Sequence, residues 1–405
     1  MKPLEGIRVI DMSTFVAGPG CARLLADMGA EVIKVEPPKG DGWRATGTTY
    51  QRRFNMDQNP IFDLYNSGKK WISINLKSDE GQAVFHKLLE STDVFITNNR
   101  EPALKKLKCS YEDLKDEYPR LIYAWSSGYG SKGPDASRPA FDTTSFWPRS
   151  GFLMGQALCD EEGNFQPVAA PSGVGDTVTS LILLGEINAA LLQREKTGRG
   201  QFVESNLFHA GLYTMGCMII SKQGTDPKPM KRSETGAFTG HFKCKDGNYI
   251  YIPGALVAKL PYDLATILGW PERGDEFKRD RFVRVKELYK EISEQFMTQD
   301  AAYWLARARE IDLPMERLAR YQEVIEDEQA WANDFLENVE FADGGKNVMP
   351  RSPIHMENVG MVDTVPAPSV GTDTEAVLKD MGYSEEEIRT LTESGAVICK
   401  EKDNV

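Results

Sequence analysis

The 405-residue chain is poor in histidine, with four, and its six cysteines (Cys21, Cys109, Cys159, Cys217, Cys244 and Cys399) form no CxxC pair. No histidine pair has the HExxH spacing of a helical zinc site, so no metal is expected. Scattered thiols in a chain this long fit a reducing compartment rather than a disulfide frame. Positive charge is also scarce. Against 60 Asp+Glu stand 48 Lys+Arg, a formal net charge of -12, which argues against nucleic acid or an anionic membrane as partner. No stretch approaches ~18 uninterrupted apolar residues. Met1–Gly6 carries no apolar signal region either, so a soluble, cytoplasmic protein is expected.

What is present is an ordinary globular composition, 41% hydrophobic and 27% charged. At roughly 100–200 residues per domain, the length suggests two or three domains. Ile7–Met12 reads as a buried strand, followed by the turn Ala17-Gly18-Pro19-Gly20, a helix through Leu24, Leu25 and Met28, and a second strand, Glu31–Glu36. Strand, turn, helix and strand in this order predict a βαβ unit and a parallel sheet. Glu36 sits where dinucleotide folds place a ribose-binding acid. Ala17–Gly20 is not G-x-G-x-x-G, however, and Pro19 lacks an N–H, which counts against a nicotinamide dehydrogenase. Further strands are expected at Lys69–Leu76, Asp93–Asn98 and Leu121–Trp125, with a helix at Glu80–Glu90. Ligands of open α/β sheets sit at the carboxyl ends of the strands, where Lys69, Lys70, Lys105 and Lys106 would supply positive charge.

The most informative stretch is Gly173-Val174-Gly175-Asp176, which opens a long apolar helix ending at Lys196-Thr197-Gly198. Asp176 reads in two ways. It is a helix N-cap, or it is a nucleophile kept ionised by the helix N-terminus, with the flanking glycines giving a ligand access. Phe146, Trp147, Phe152 and Met154 would line an apolar acyl pocket, although packing is the commoner fate of such residues. From Lys222 to Glu234 the chain turns polar and basic, with Pro227 and Pro229, as a linker does. A hairpin over His241–Ile252 turns at Asp246-Gly247, and charged helical sequence follows from about Arg281 to Ala330, with Trp304, Leu305 and Leu318 as core positions.

Several of these pieces resemble the family III CoA-transferases, the group of the formyl-CoA and carnitine enzymes. The matching segments are Leu4–Asp11, Ala17-Gly18-Pro19, Gly29–Glu36, Gly175-Asp176 and Lys196–Gln201, and together they span essentially the whole chain. Phe141–Thr144, Gly128–Pro134 and Asp327–Asp334 are similar to the 2-hydroxyacyl-CoA transferases of anaerobic amino-acid fermentation, of the aryllactate and 2-hydroxyisocaproate types. The resemblance implies that Asp176 is a nucleophile passing through an aspartyl anhydride and an aspartyl-CoA thioester, with oxyanion donors near Val16, Ala17 and Gly18. It implies contacts to coenzyme A, bound as an acyl-CoA substrate, at Val16, Ala17, Lys70, Asn98, Lys106 and Tyr129. Pro37 and Ser127 stand where the formyl-CoA enzymes have arginine and lysine, so the phosphate contacts must differ. The family's glycine-rich lid is missing too; Thr235–Gly240 is the nearest stretch.

The implied architecture is α/β. A large Rossmann-like domain with a parallel sheet takes residues 1–222 and a C-terminal return at 326–405, a smaller α+β domain takes 223–325, and two chains interlock as rings in a homodimer. The partners implied are an acyl-CoA and a small carboxylic acid, an aryl or branched 2-hydroxy acid, with carnitine- or bile-acid-type substrates as alternatives. An α-methylacyl-CoA racemase would share the fold and the aspartate. The racemases carry a histidine where Phe141 stands, and phenylalanine transfers no proton. A non-catalytic CoA-binding protein is the remaining class.

Overall fold

The computed structural model describes residues 1–50, 59–160, 162–225, 228–254, 259–341 and 344–400, and Pro227 of the linker lies outside them. The described chain divides into two compact units: Met1–Phe152 with Ala170–Ser221 and Asp327–Val405, and Leu153–Ala169 with Lys222–Glu326.

The first unit is built on strands β1 (Arg8–Met12), β2 (Glu31–Glu36), β3 (Lys70–Ile74), β4 (Val94–Thr97) and β5 (Ile122–Ser127). They form a 7-stranded sheet with Phe202–Asn206 and Val397–Ile398, in the order Val397–Ile398, β3, β2, β1, β4, β5, Phe202–Asn206. All neighbours pair parallel except Val397–Ile398, which runs antiparallel to β3. The strands read as continuous apolar runs because both faces are covered. Val9, Ile96 and Ala124 pack on one face with Leu183 and Ile187 of the long helix Val174–Thr197. Ile10, Phe95 and Tyr123 pack on the other with Leu88 and with Val377 and Leu378 of the C-terminal segment. That segment is fastened to β3, where Trp71 N–H donates to Asp373 and Ser73 N–H to Thr374 Oγ1.

The chain passes from β1 outward through β2 and β3 and then returns to place β4 on the other side of β1. That reversal makes a crevice at the carboxyl ends of β1 and β4, the usual ligand position of an open parallel sheet.

In the second unit the hairpin Thr239–Lys243 with Tyr249–Pro253 forms as the Asp246-Gly247 signal predicts, Gly247 taking φ 82°. Its core holds Phe242, Ile250, Leu264, Phe296 and Trp304. Leu318, expected in the core, is exposed. Ala237 and Phe238 of Thr235–Gly240 are buried core residues. Residues 153–169, expected within the large domain, belong to the second unit. The short strand Leu158–Cys159 bridges to Lys231, and Cys159 N–H donates to Met230 O at 3.1 Å.

Candidate active site

The helix Val174–Thr197 begins after Gly173, whose φ of 88° puts it in the left-handed region, and ends at Gly198, φ 70°. Asp176 therefore lies in the first turn but is not the N-cap. The capping role falls to Asp142, 2% exposed, whose Oδ2 accepts from Gly173 N–H at 2.7 Å. Asp142 also takes hydrogen bonds from the Thr143 and Gly175 backbone. The Asp176 carboxylate accepts no hydrogen bond among the described residues, which leaves it free for chemistry.

The turn is fixed from behind. A Cβ on Gly175 would stand 2.4 Å from Phe146 Cγ, so only glycine lets the helix start this close to that ring. One turn later Ser180 Oγ donates to Ala17 O at 2.6 Å. Asp176 is thereby held beside the start of helix α1 (Ala17–Asp27), where the Ala17 and Gly18 N–H groups are first-turn donors without intrahelical partners.

Burial, and then the charge of Asp142, push the Asp176 carboxyl up from 3.8 to about 7. That difference is worth about 4 kcal/mol at 1.36 kcal/mol per tenfold. A helix N-terminus contributes only about 0.3–1 kcal/mol in the opposite direction. The expectation of a carboxylate kept fully ionised by the helix is therefore corrected: near neutrality Asp176 is poised between its two forms.

Asp176 faces a cleft of about 450 Å³. Thr14, Phe15, Val16 and Ala17 line it after β1, Asn98, Asn99 and Arg100 after β4, and Ser126, Ser127 and Gly128 at the end of β5. Trp43, Phe141, Asp142 and Leu207 close the rest. A second cleft, also about 450 Å³, shares Thr14 and Asn99 with the first and continues past the ends of β2 and β3, with Pro37, Pro38, Lys39, Asn75, Leu76 and Lys77 in its wall.

Buried charges brace the loop between β1 and α1. Lys69 Nζ lies 2.8 Å from Asp11 Oδ2, and Lys34 Nζ lies 3.1 Å from Asp41 Oδ2 and donates to Ser13 O at 2.9 Å. Burial alone would raise Asp11, but Lys34 and Lys69 together hold it below the ordinary carboxylate value. Asn98 clamps the same loop, accepting from Thr14 N–H at 2.9 Å and donating to Thr14 O at 2.6 Å. Phe15 follows with φ 63°, a conformation that costs a bulky residue about 1–3 kcal/mol and marks functional loops.

The expected site residues divide clearly. Val16, Ala17, Asn98 and Asp176 come together in one cleft, and Gly18 lies buried just inside α1, where a Cβ would meet Ser13 Oγ at 2.4 Å. Lys70 does not join them. It opens β3, at the amino end of the sheet, and pairs with Glu31 at 2.5 Å. Lys39 and Lys77 stand at the carboxyl end instead. Lys106 is exposed on the last turn of the helix Glu101–Lys106 and lines neither cleft. Tyr129 lies just past the Gly128 wall, under the Arg149 guanidinium at 4.7 Å. Phe146 and Trp147 are buried behind the helix start, with Phe152 packed on Trp147 at 4.5 Å between ring centroids. Met154 belongs to the second unit. Phe146, Trp147 and Phe152 are thus packing, Met154 is exposed, and the rings that line the cleft are Phe15, Trp43 and Phe141. Glu36 is committed to Arg44 at 2.9 Å and is 1% exposed, which removes the ribose-binding reading. Among the described residues no cluster of His, Cys, Asp and Glu suits a metal ion.

The model of CoA-transferase family III matches residues 4–374. The chain is 38% identical to an (R)-2-hydroxy-4-methylpentanoate CoA-transferase of Clostridioides difficile, over 97% of this chain and 99% of the relative. It is 34% identical to a cinnamoyl-CoA:phenyllactate CoA-transferase of Clostridium sporogenes, over 98% of each. Among solved structures, a CAIB/BAIF family protein from Brucella suis superposes with TM-score 0.76 at 26% identity, covering 94% of this chain and 99% of that one. A free-standing aspartate at a sheet's carboxyl-end crevice, together with matches running nearly the full length, places the protein in CoA-transferase family III.

Proposed function

We propose that the protein moves coenzyme A from an acyl-CoA to a 2-hydroxy acid with an aryl or branched side chain, using Asp176 as nucleophile. The observation that carries this reading is the free carboxylate of Asp176, held against the α1 N-terminus in a cleft at the strand ends. The two similar enzymes that act on 2-hydroxy acids support the substrate class.

In the first step an Asp176 oxygen attacks the thioester carbonyl. The C–S bond breaks, and a mixed anhydride and CoA thiolate result. The thiolate then attacks the Asp176 carbonyl, releasing the donor acid and leaving an aspartyl thioester. The acceptor carboxylate attacks that thioester to form a new anhydride and free the thiolate. The thiolate takes the acceptor acyl group, and Asp176 returns as carboxylate. The Ala17 and Gly18 N–H groups are the donors for the oxyanion of each tetrahedral state. The nucleotide end of the substrate fits the neighbouring cleft, where Lys39 and Lys77 offer positive charge to its phosphates and Pro37 leaves only backbone and ring. Among the described residues no histidine lines the cleft of Asp176, which favours transfer over racemization.

The assembly we propose is a homodimer of interlocked chains. It would cover the apolar side chains that the first unit exposes around the long helix, Leu181, Leu192, Tyr213 and Ile220. An isotope experiment tests the chemistry. With acceptor acid labelled with oxygen-18 in its carboxylate, one label per turnover passes into Asp176 and then into the released donor acid. Turnover without label in Asp176 would contradict the covalent route.

A further inference from the structure

We infer that Phe15, Trp43 and Phe141 form the wall that selects the side chain of the acyl group handed to Asp176, favouring flat aromatic or branched aliphatic groups over short linear ones. The inference rests on the transferase reading and assigns its specificity to residues. Each ring comes from a different segment, and all three line the cleft of Asp176. Phe15 meets Phe141 edge-on, with centroids 5.3 Å apart at 76°, and meets Trp43 at 5.7 Å and 56°. The rings therefore form one continuous surface centred on Phe15.

Phe15 and Trp43 are half-buried, and Trp43 backs onto Phe62, Trp71 and Ala367, so the wall rests on the core while lining the cleft. Phe141 is 54% exposed and is the ring most open to a ligand. Ala17, Gly128 and Ala140 also line the cleft, and their small size leaves width for a ring or an isobutyl branch. Apolar pockets of this kind gain affinity from shape and from aromatic edge and face contacts.

The wall is also preorganised. Asp41 Oδ1 accepts from Trp43 N–H at 2.9 Å and from Phe15 N–H at 3.4 Å, so one carboxylate ties two of the rings together. Its other oxygen faces the fully buried Lys34 at 3.1 Å. Phe15 keeps its left-handed backbone, φ 63°, because Asn98 grips Thr14 on one side and Asp41 holds the Phe15 N–H. Phe141 precedes Asp142, the residue that caps the helix start carrying Asp176. The third ring is therefore registered to the nucleophile through one side chain. Rings locked in this way lose little entropy when a substrate arrives, which is how a pocket turns apolar contact into selectivity.

The test compares kcat/KM for isohexanoyl-CoA and phenylpropanoyl-CoA with that for propanoyl-CoA, with one acceptor acid held constant, in the wild type, F141A and F141L. Wild type should prefer the two bulky acyl groups, and in F141A the bulky-to-propanoyl ratio should fall by about tenfold or more, as expected for loss of a large apolar contact. F141L should restore part of the isohexanoyl preference and little of the phenylpropanoyl preference. F15A, read as the same ratio, should fall in parallel. A ratio unchanged in F141A and F15A, with thermal unfolding as in the wild type, overturns the wall. Asp176 hydroxamate formed from propanoyl-CoA in the presence of hydroxylamine is scored in every variant. If hydroxamate forms but the ratio does not move, the wall falls and the transferase reading stands. If no acyl-CoA yields hydroxamate even in the wild type, the transferase reading falls and the wall with it.

Discussion

Replacing Asp142 by asparagine removes a charge from beside Asp176 while keeping an oxygen that can accept from Gly173 N–H, the 2.7 Å bond that caps the helix. In the wild type the nucleophile is raised from 3.8 to about 7, first by burial and second by Asp142. Because Asp142 is the smaller cause, it accounts for less than half of about 4 kcal/mol, so under about 2 kcal/mol or about 1.5 pH units. The reacting form of Asp176 is the carboxylate, so kcat/KM rises with pH through the nucleophile's pKa in the free enzyme. Removing a neighbouring negative charge favours ionisation, and the acid limb of D142N must therefore move to lower pH. A steady-state assay of kcat/KM between pH 5 and 9 reads that limb in both proteins. D142A is the control for geometry. It leaves the Gly173 N–H without its acceptor, which costs about 1–3 kcal/mol of stability, and it should lose activity across the whole pH range. A D142N limb that stays at the wild-type position or moves upward, with unfolding unchanged, refutes the electrostatic coupling.

Three further outcomes follow from the same geometry. The folded state binds the Asp176 proton more tightly than the unfolded state, so this group's contribution to stability falls as pH rises from 3.8 to about 7. D176N cannot ionise, and its stability gain over wild type should be absent near pH 4 and grow to about 2–4 kcal/mol at pH 8, measured by denaturant titration; a gain independent of pH would contradict the buried-carboxyl argument. K39A/K77A should raise KM for acyl-CoA about tenfold or more, with a weaker salt dependence than wild type, because both lysines line the cleft at the strand ends. K70A should leave KM within about twofold, since a partly exposed pair such as Lys70–Glu31 carries at most ~1 kcal/mol; the reverse ranking in the same assay would return the phosphate site to the amino end of the sheet.

Much of this was legible in the sequence. β2 spans Glu31–Glu36 as read, and β1, β3, β4 and β5 lie within a few residues of their expected places. Strands buried on both faces write long apolar runs, which are hard to mistake. Asp176 stands out because two glycines precede it and an apolar helix follows, and that helix ends at Gly198 as expected, in the left-handed conformation. Other features depended on information that composition does not carry. Phe146 and Trp147 looked like a pocket because they are aromatic, yet which face they turn depends on the contact of Gly175 with the Phe146 ring. The cleft-lining rings Phe15, Trp43 and Phe141 come from distant segments, and only the fold brings them together. Lys70, implied by the resemblance, opens its strand, whereas Lys77 lies just past the strand's carboxyl end, where ligands of open sheets sit. Asp142 caps the helix from another segment, through a contact 31 residues apart in the chain that no local pattern shows.

The proposed chemistry stands or falls on covalent acylation of Asp176 during transfer. The most direct measurement is to incubate the protein with a panel of acyl-CoAs, quench with hydroxylamine and map the peptides by mass. A hydroxamate should form on Asp176 that needs acyl-CoA and is absent from D176N. Acyl transfer that proceeds with Asp176 unlabelled, or with the label on another residue, would contradict that chemistry.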